Sequence, residues 1–186
     1  IVACAPFFVA VIVGIFFKNE KPGVNFFVGF VIAIIGIAMI SMNGAKSLHL
    51  NPKGDMLAFT AMISWGFYSA IIKKIGEWNY PTAAVTRRIY FYGMLFLIPV
   101  LMWQGVSWDV TVFKKPEIIL NFLFLGVGAS ALGFFLWNLS TKWIGAIKTS
   151  VYIYVSPVVT VVLSVVILHE KMTVVSAAGA ILILLG

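Results

Sequence analysis

Charge is scarce in this sequence: thirteen Lys and Arg and six Asp and Glu serve 186 residues, of which 62% are hydrophobic. At a mean hydropathy of +1.07 such a chain has too little polar surface to face water, so a soluble domain is excluded and the bilayer becomes its solvent. Cysteine is limited to Cys4, inside an apolar run. One thiol excludes a disulfide framework and a cysteine metal cluster, and reads as filler of the core or the lipid face. Histidine occurs only at His49, in a loop, and at His169, where an apolar run ends. There is no HExxH, no Ser/His pairing within helices and no Asp pair at membrane depth. An intramembrane enzyme lacks its chemistry here, and no catalytic residue, metal or cofactor is expected. No Asp or Glu stands in the middle of an apolar run, so a carboxylate proton-coupling site lies outside this sequence or does not exist. The net charge of +7 and pI of about 9.6 come from basic residues that flank the apolar runs. They form no groove-lining patch, which excludes nucleic acid and leaves the lipid bilayer as the implied partner.

What the sequence has in abundance is long hydrophobic runs. Those able to cross roughly 30 Å of hydrocarbon as helices are Ile1–Phe17, Val24–Met42, Met56–Ile72, Ile89–Trp103, Ile118–Leu139, Ala146–Leu168 and Val174–Gly186. The first opens without an initiating Met and the last stops after thirteen residues, about 20 Å at the helical rise, so a fragment of a longer protein is expected. Connections carry turn chemistry, as in Lys21-Pro22-Gly23, Asn43-Gly44 and Asn51-Pro52-Lys53-Gly54. The loop Gln104 to Glu117, with Trp103 and Trp108 as interfacial aromatics, has room for a short surface helix.

The runs contain an internal repeat. Pro6 and Glu20-Lys21 recur as Pro157 and Glu170-Lys171, and glycines stand nine and sixteen residues after each glutamate, Gly29 and Gly36 in one copy, Gly179 and Gly186 in the other. Five crossings separate Glu20 from Glu170. An odd number places the equivalent turns on opposite faces of the membrane, the inverted-topology plan of many secondary transporters. The basic residues sort as Lys18, Lys21, Lys73, Lys74, Arg87, Arg88, Lys142 and Lys148 on one face and Lys46, Lys53, Lys114, Lys115 and Lys171 on the other, and the first face is the expected cytoplasmic one.

The residues from Gly126-Val127-Gly128-Ala129-Ser130-Ala131-Leu132-Gly133 through Trp137-Asn138, Gly145-Ala146, Ser156-Pro157 and Glu170-Lys171 to Gly179 and Gly186 resemble the second half of EamA-family carriers of the drug/metabolite transporter superfamily. Gly54-Asp55-Met56-Leu57-Ala58, Ser64-Trp65-Gly66-Phe67-Tyr68 and Lys73-Lys74 resemble the first span of that half, and Pro6 to Gly36 extends the resemblance. One departure is that Pro6 to Glu20 is one residue longer than Pro157 to Glu170, which predicts a bulge or shifted turn. The resemblance implies an all-α polytopic bundle of ten helices in two inverted five-helix repeats, about seven of them present here. Residues 1–45 would hold the last two spans of the first repeat and 46–186 the second repeat. It further implies a bacterial inner-membrane carrier of a small-molecule solute, and leaves room for a homodimer. A channel and a non-transporting receptor or assembly module are the alternatives from other classes.

Candidate site residues follow from chemistry at membrane depth. Trp65, Tyr68, Tyr90, Trp137, Asn138 and Tyr152 are the polar or aromatic groups available to line a solute cavity, with the Asn138 amide expected to be unhidden near its span end. Pro157 and its counterpart Pro6 remove a backbone donor inside a span and predict a bend; Pro99 is a further bend candidate. Gly126 with Ser130, and Ala129 with Gly133, are small pairs four apart that invite close helix packing, as do Gly29, Gly36, Gly179 and Gly186. Glu20 and Glu170 stand at run ends beside Lys and read as interfacial ion pairs or turn caps. Asp55 and Glu117 precede their spans, where the helix dipole favours them. Arg87 and Arg88 are placed to snorkel into headgroups or attract an anion.

Overall fold

Helix boundaries are set by short polar signals between apolar runs. Asn51 caps α3 (Pro52–Glu77): its side-chain oxygen accepts from the Gly54 N–H at 3.3 Å, and Pro52 occupies the first turn, where a missing N–H costs nothing. Thr173 caps α9 (Val174–Leu185) by accepting from the Ser176 N–H at 3.2 Å. Pro81 and Lys115, both extended, precede α4 (Thr82–Trp103) and α5 (Pro116–Leu123). The remaining helices are α1 (Ala5–Phe16), α2 (Val24–Gly44), α6 (Gly133–Ile144), α7 (Ala146–Val151) and α8 (Val155–Leu168). A π-helical stretch, Phe124–Leu132, joins α5 to α6, and 3₁₀ turns occupy Val2–Cys4 and Tyr152–Tyr154.

This computed structural model describes residues 2–17, 20–44, 51–105, 115–169 and 172–186. Lys18, Lys46, His49, Trp108, Lys114, Glu170 and Lys171 lie outside the described residues. Among the described residues five helical spans are long and apolar enough to cross a membrane, Val24–Met42, Pro52–Glu77, Thr82–Trp103, Pro116–Ile144 and Ala146–Leu168, and two apolar helices are shorter, Val2–Phe16 and Val174–Leu185. The chain is an all-α, integral, multi-pass membrane protein. Hydropathy located these spans but shortened several, because a helix keeps its backbone bonded for a turn or two into the headgroup layer. α3 and α4 thus take in Pro52–Asp55 and Thr82–Arg88. For the same reason Asn43-Gly44 ends α2 instead of forming a turn beyond it.

Two compact units are present, one of Ile1–Ile72 with Ile144–Gly186, the other of Lys73–Trp143. In the first, Val9, Ala10, Ile12, Val13, Ala70, Ala146 and Ile147 form a buried core, and Ala33, Tyr154 and Ile183 a second one. α2 and α9 make the largest helix contact, and they run antiparallel. A Cβ on Gly36 would stand 2.5 Å from the Gly179 carbonyl oxygen and one on Gly179 2.7 Å from that of Gly36; Gly29 and Gly186 meet backbone to backbone in the same way. Gly36, sixteen residues after Glu20, therefore faces Gly179, nine residues after Glu170, and Gly29 faces Gly186 in the reverse sense. Close backbone approach matters here because lipid supplies no hydrophobic drive to helix association.

The 3₁₀ turns repeat as well: Val2–Cys4 and Tyr152–Tyr154 differ by 150 positions, the offset from Glu20 to Glu170. Each lies just ahead of its proline, where the chain tightens because proline cannot donate to the preceding turn. The Tyr154 hydroxyl donates to the Ala3 carbonyl at 3.1 Å, joining the two turns. The Glu20 carboxylate rests against Gly145, whose φ of 90° opens α7. In the second unit, α4 packs against the π-helical and α6 segment, and the Lys142 stem covers Gly76 with Cγ 3.5 Å from a Cβ built there.

Candidate functional site

The Lys73–Trp143 unit holds a seam of uncharged polar groups. Thr86 and Tyr90 lie one turn apart on α4, and Ser130, Phe134 and Asn138 follow at intervals of four along the facing helix. The Asn138 side-chain N–H donates to the Thr86 hydroxyl at 3.0 Å, and that hydroxyl donates in turn to the Thr82 carbonyl at 2.9 Å. The Tyr90 ring meets Phe134 edge-on, with centroids 5.9 Å apart, and its buried hydroxyl faces Ser130. Asn138 is 3% exposed, which corrects the expectation of an unhidden amide: the helix runs on to Ile144, so Asn138 is a turn deeper than hydropathy suggested. Thr141, 1% exposed, extends the seam; the described residues offer its hydroxyl no hydrogen-bond partner. Trp137 is half-buried with its indole nitrogen enclosed.

Trp65, Tyr68, Tyr152, Pro6, Pro157 and Gly179 belong to the first unit. Trp65 packs against the Val9–Ile147 core cluster and stacks on Tyr68, with centroids 5.2 Å apart at 30°. Tyr152 lies in the 3₁₀ turn and is 66% exposed. Pro6 is buried in the first turn of α1, and Pro157 sits in the first turn of α8, half-buried. Gly179 forms the α2–α9 contact described above.

Gly126 and Gly133 are placed differently from what their spacing suggested, while Ser130 faces Tyr90 across the seam. Five of the nine residues in Phe124–Leu132 are Gly, Ala or Ser, too small to brace an α-helical wall, and the segment widens into a π-helix. Residues four apart no longer stack there. A Cβ on Gly126 would meet nothing within 4 Å, and one on Gly133 only the Gly128 carbonyl of its own helix at 3.7 Å. Thr86, Phe134 and Thr141 were missed from sequence; the i, i+4 spacing of Thr86 with Tyr90 was the available signal. Among the described residues no group of three His, Cys, Asp or Glu could hold a metal ion.

A family profile described as the EamA-like transporter family matches residues 52–186. The chain is similar to the uncharacterized transporter YyaM of Bacillus subtilis, 27% identical over 97% of this chain and 59% of that protein. It is similar to YvbV of the same organism, 28% identical over 95% of this chain and 58% of that protein. A Salmonella typhimurium protein named "Probable amino-acid metabolite efflux pump" is 26% identical over 96% of this chain and 62% of its own length. The chain spans about half to three fifths of the length of the first curated relatives. No solved structure matches it.

Proposed function

The chain belongs to the EamA-like transporter family, and from that premise we propose that it serves in a secondary carrier moving a small metabolite or drug-like solute by alternating access of two inverted repeats. Residues 1–45 contribute the end of the first repeat and 46–186 the second, in a bacterial inner membrane. The observation that carries this reading is the crossed pairing in the antiparallel α2 and α9, where Gly36 meets Gly179 and Gly29 meets Gly186. Two copies built on opposite orientations and held about one contact are what a rocking carrier needs, whereas a channel or a passive assembly module gains nothing from them.

Our reading of the solute class rests on the Thr86–Tyr90–Ser130–Asn138 seam. Hydroxyl and amide groups without a charge suit a neutral or zwitterionic solute, and the efflux-pump name of the Salmonella relative makes amino acids and their derivatives the first class to try. The test is a thermal-stability screen of the full-length protein in detergent against amino acids, nucleosides, sugars and cationic drugs. A ligand present at 100 times its Kd stabilises the folded state by about 2.7 kcal/mol. Selective, concentration-dependent stabilisation by a neutral or zwitterionic solute is expected. Stabilisation by cationic drugs alone contradicts the class read from the seam.

A further inference from the structure

The elbow between α3 and α4 carries a groove of about 630 Å³ that the carrier reading does not use. Ile75, Val85 and Ile89 make its apolar floor, Trp78 and Tyr80 stand at its rim, and Arg88 is the charged residue in its lining. The elbow is shaped by its own backbone. The Trp78 N–H donates to the Ile75 carbonyl at 3.1 Å and the Asn79 N–H to that of Gly76 at 3.2 Å. Asn79 then turns the chain with φ 56°, a left-handed conformation asparagine tolerates well. The Trp78 and Tyr80 rings pack edge to face at 6.4 Å.

Charge at this elbow is of one sign where it matters. Lys73, Lys74, Arg87 and Arg88 cluster about the turn. Lys74 holds Glu77 at 2.7 Å, so the acid of the elbow is already engaged. Among the described residues Arg88 has no carboxylate partner. Trp and Tyr mark the headgroup level of a bilayer, and basic pockets between spans at that level take anionic lipid headgroups.

We infer that this groove binds an anionic phospholipid, its phosphate on the Arg88 guanidinium beside the Tyr80 hydroxyl and an acyl chain along Ile75, Val85 and Ile89. A water-soluble anion would satisfy Arg88 and leave the apolar floor bare. A zwitterionic lipid would bring its own cation to a basic turn. Arg87, adjacent in sequence but outside the lining, is the internal control.

The experiment is native mass spectrometry of the full-length protein in mild detergent with phosphatidylglycerol, phosphatidylcholine of the same chains, and glycerol phosphate. The wild type should retain phosphatidylglycerol over phosphatidylcholine, with glycerol phosphate failing to compete. Arg88→Gln should lower phosphatidylglycerol retention about fivefold, the weight of one basic residue at an anionic surface, and erase the preference, while Arg87→Gln changes retention far less. Val85→Trp, which fills the floor, should also lower retention while the protein stays monodisperse and Arg88 is intact. Retention unchanged in Arg88→Gln, or equal retention of the two lipids by the wild type, overturns the proposal. Competition by glycerol phosphate at equal concentration assigns the site to a soluble anion instead, and overturns it too.

Discussion

Asn138 and Thr86 make a polar contact between two spans of the Lys73–Trp143 unit. The amide donates to the hydroxyl at 3.0 Å, and both side chains are nearly fully buried. Hydrogen bonds between helices in lipid average about 0.6 kcal/mol and reach about 1.7. Asn138→Ala and Thr86→Val should each lower stability on that scale, and the double variant should lose less than the sum, as read by thermal unfolding of the full-length protein in detergent. Additive losses would show that the two groups act apart. The sequence marked Asn138 as a site residue but put it in the wrong surroundings, because hydropathy reports the hydrocarbon core and not the continuation of a helix into the interface. Thr86 went unmarked since one threonine near a span end carries no signal until its partner is known.

At the scale of elements, the α2–α9 contact rests on four glycines at corresponding places in the two copies. That these glycines pack was legible from their seven-residue spacing; that they pair crosswise was not, because spacing within each copy says nothing about which copy meets which. Gly36→Ala and Gly179→Ala each drive a methyl group against a backbone carbonyl and should cost about 1–3 kcal/mol by overpacking. Gly23→Ala, with nothing within 4 Å of its added carbon, should be neutral or stabilise by up to about 1 kcal/mol. Equal melting temperatures for the three variants would contradict the packing described here. The π-helical Phe124–Leu132 was beyond sequence reasoning for a related cause: where nearly every residue is apolar or small, hydrophobicity has no period to separate one helical pitch from another. The 3₁₀ turns were half legible. Proline foretold a bend, but the tightening falls on the residues before it.

For the whole molecule, composition alone required a membrane protein, and the repeated Pro, Glu and Gly positions are the ground on which a duplication is proposed. The identity of the solute is not written in either, because it depends on how few polar groups are arranged within an apolar bundle. The alternating-access reading is tested most directly by solute counterflow in vesicles containing the full-length protein, with wild type and Pro157→Ala compared on the solute found by the stability screen. A carrier transiently accumulates labelled solute when unlabelled solute fills the opposite side, and the account predicts that accumulation for the wild type. Pro157→Ala supplies an N–H toward the preceding Tyr152–Tyr154 turn and should slow it while leaving membrane insertion intact. Labelled solute that equilibrates without any transient accumulation would contradict a carrier, and undiminished accumulation in Pro157→Ala would contradict the bend as its moving part.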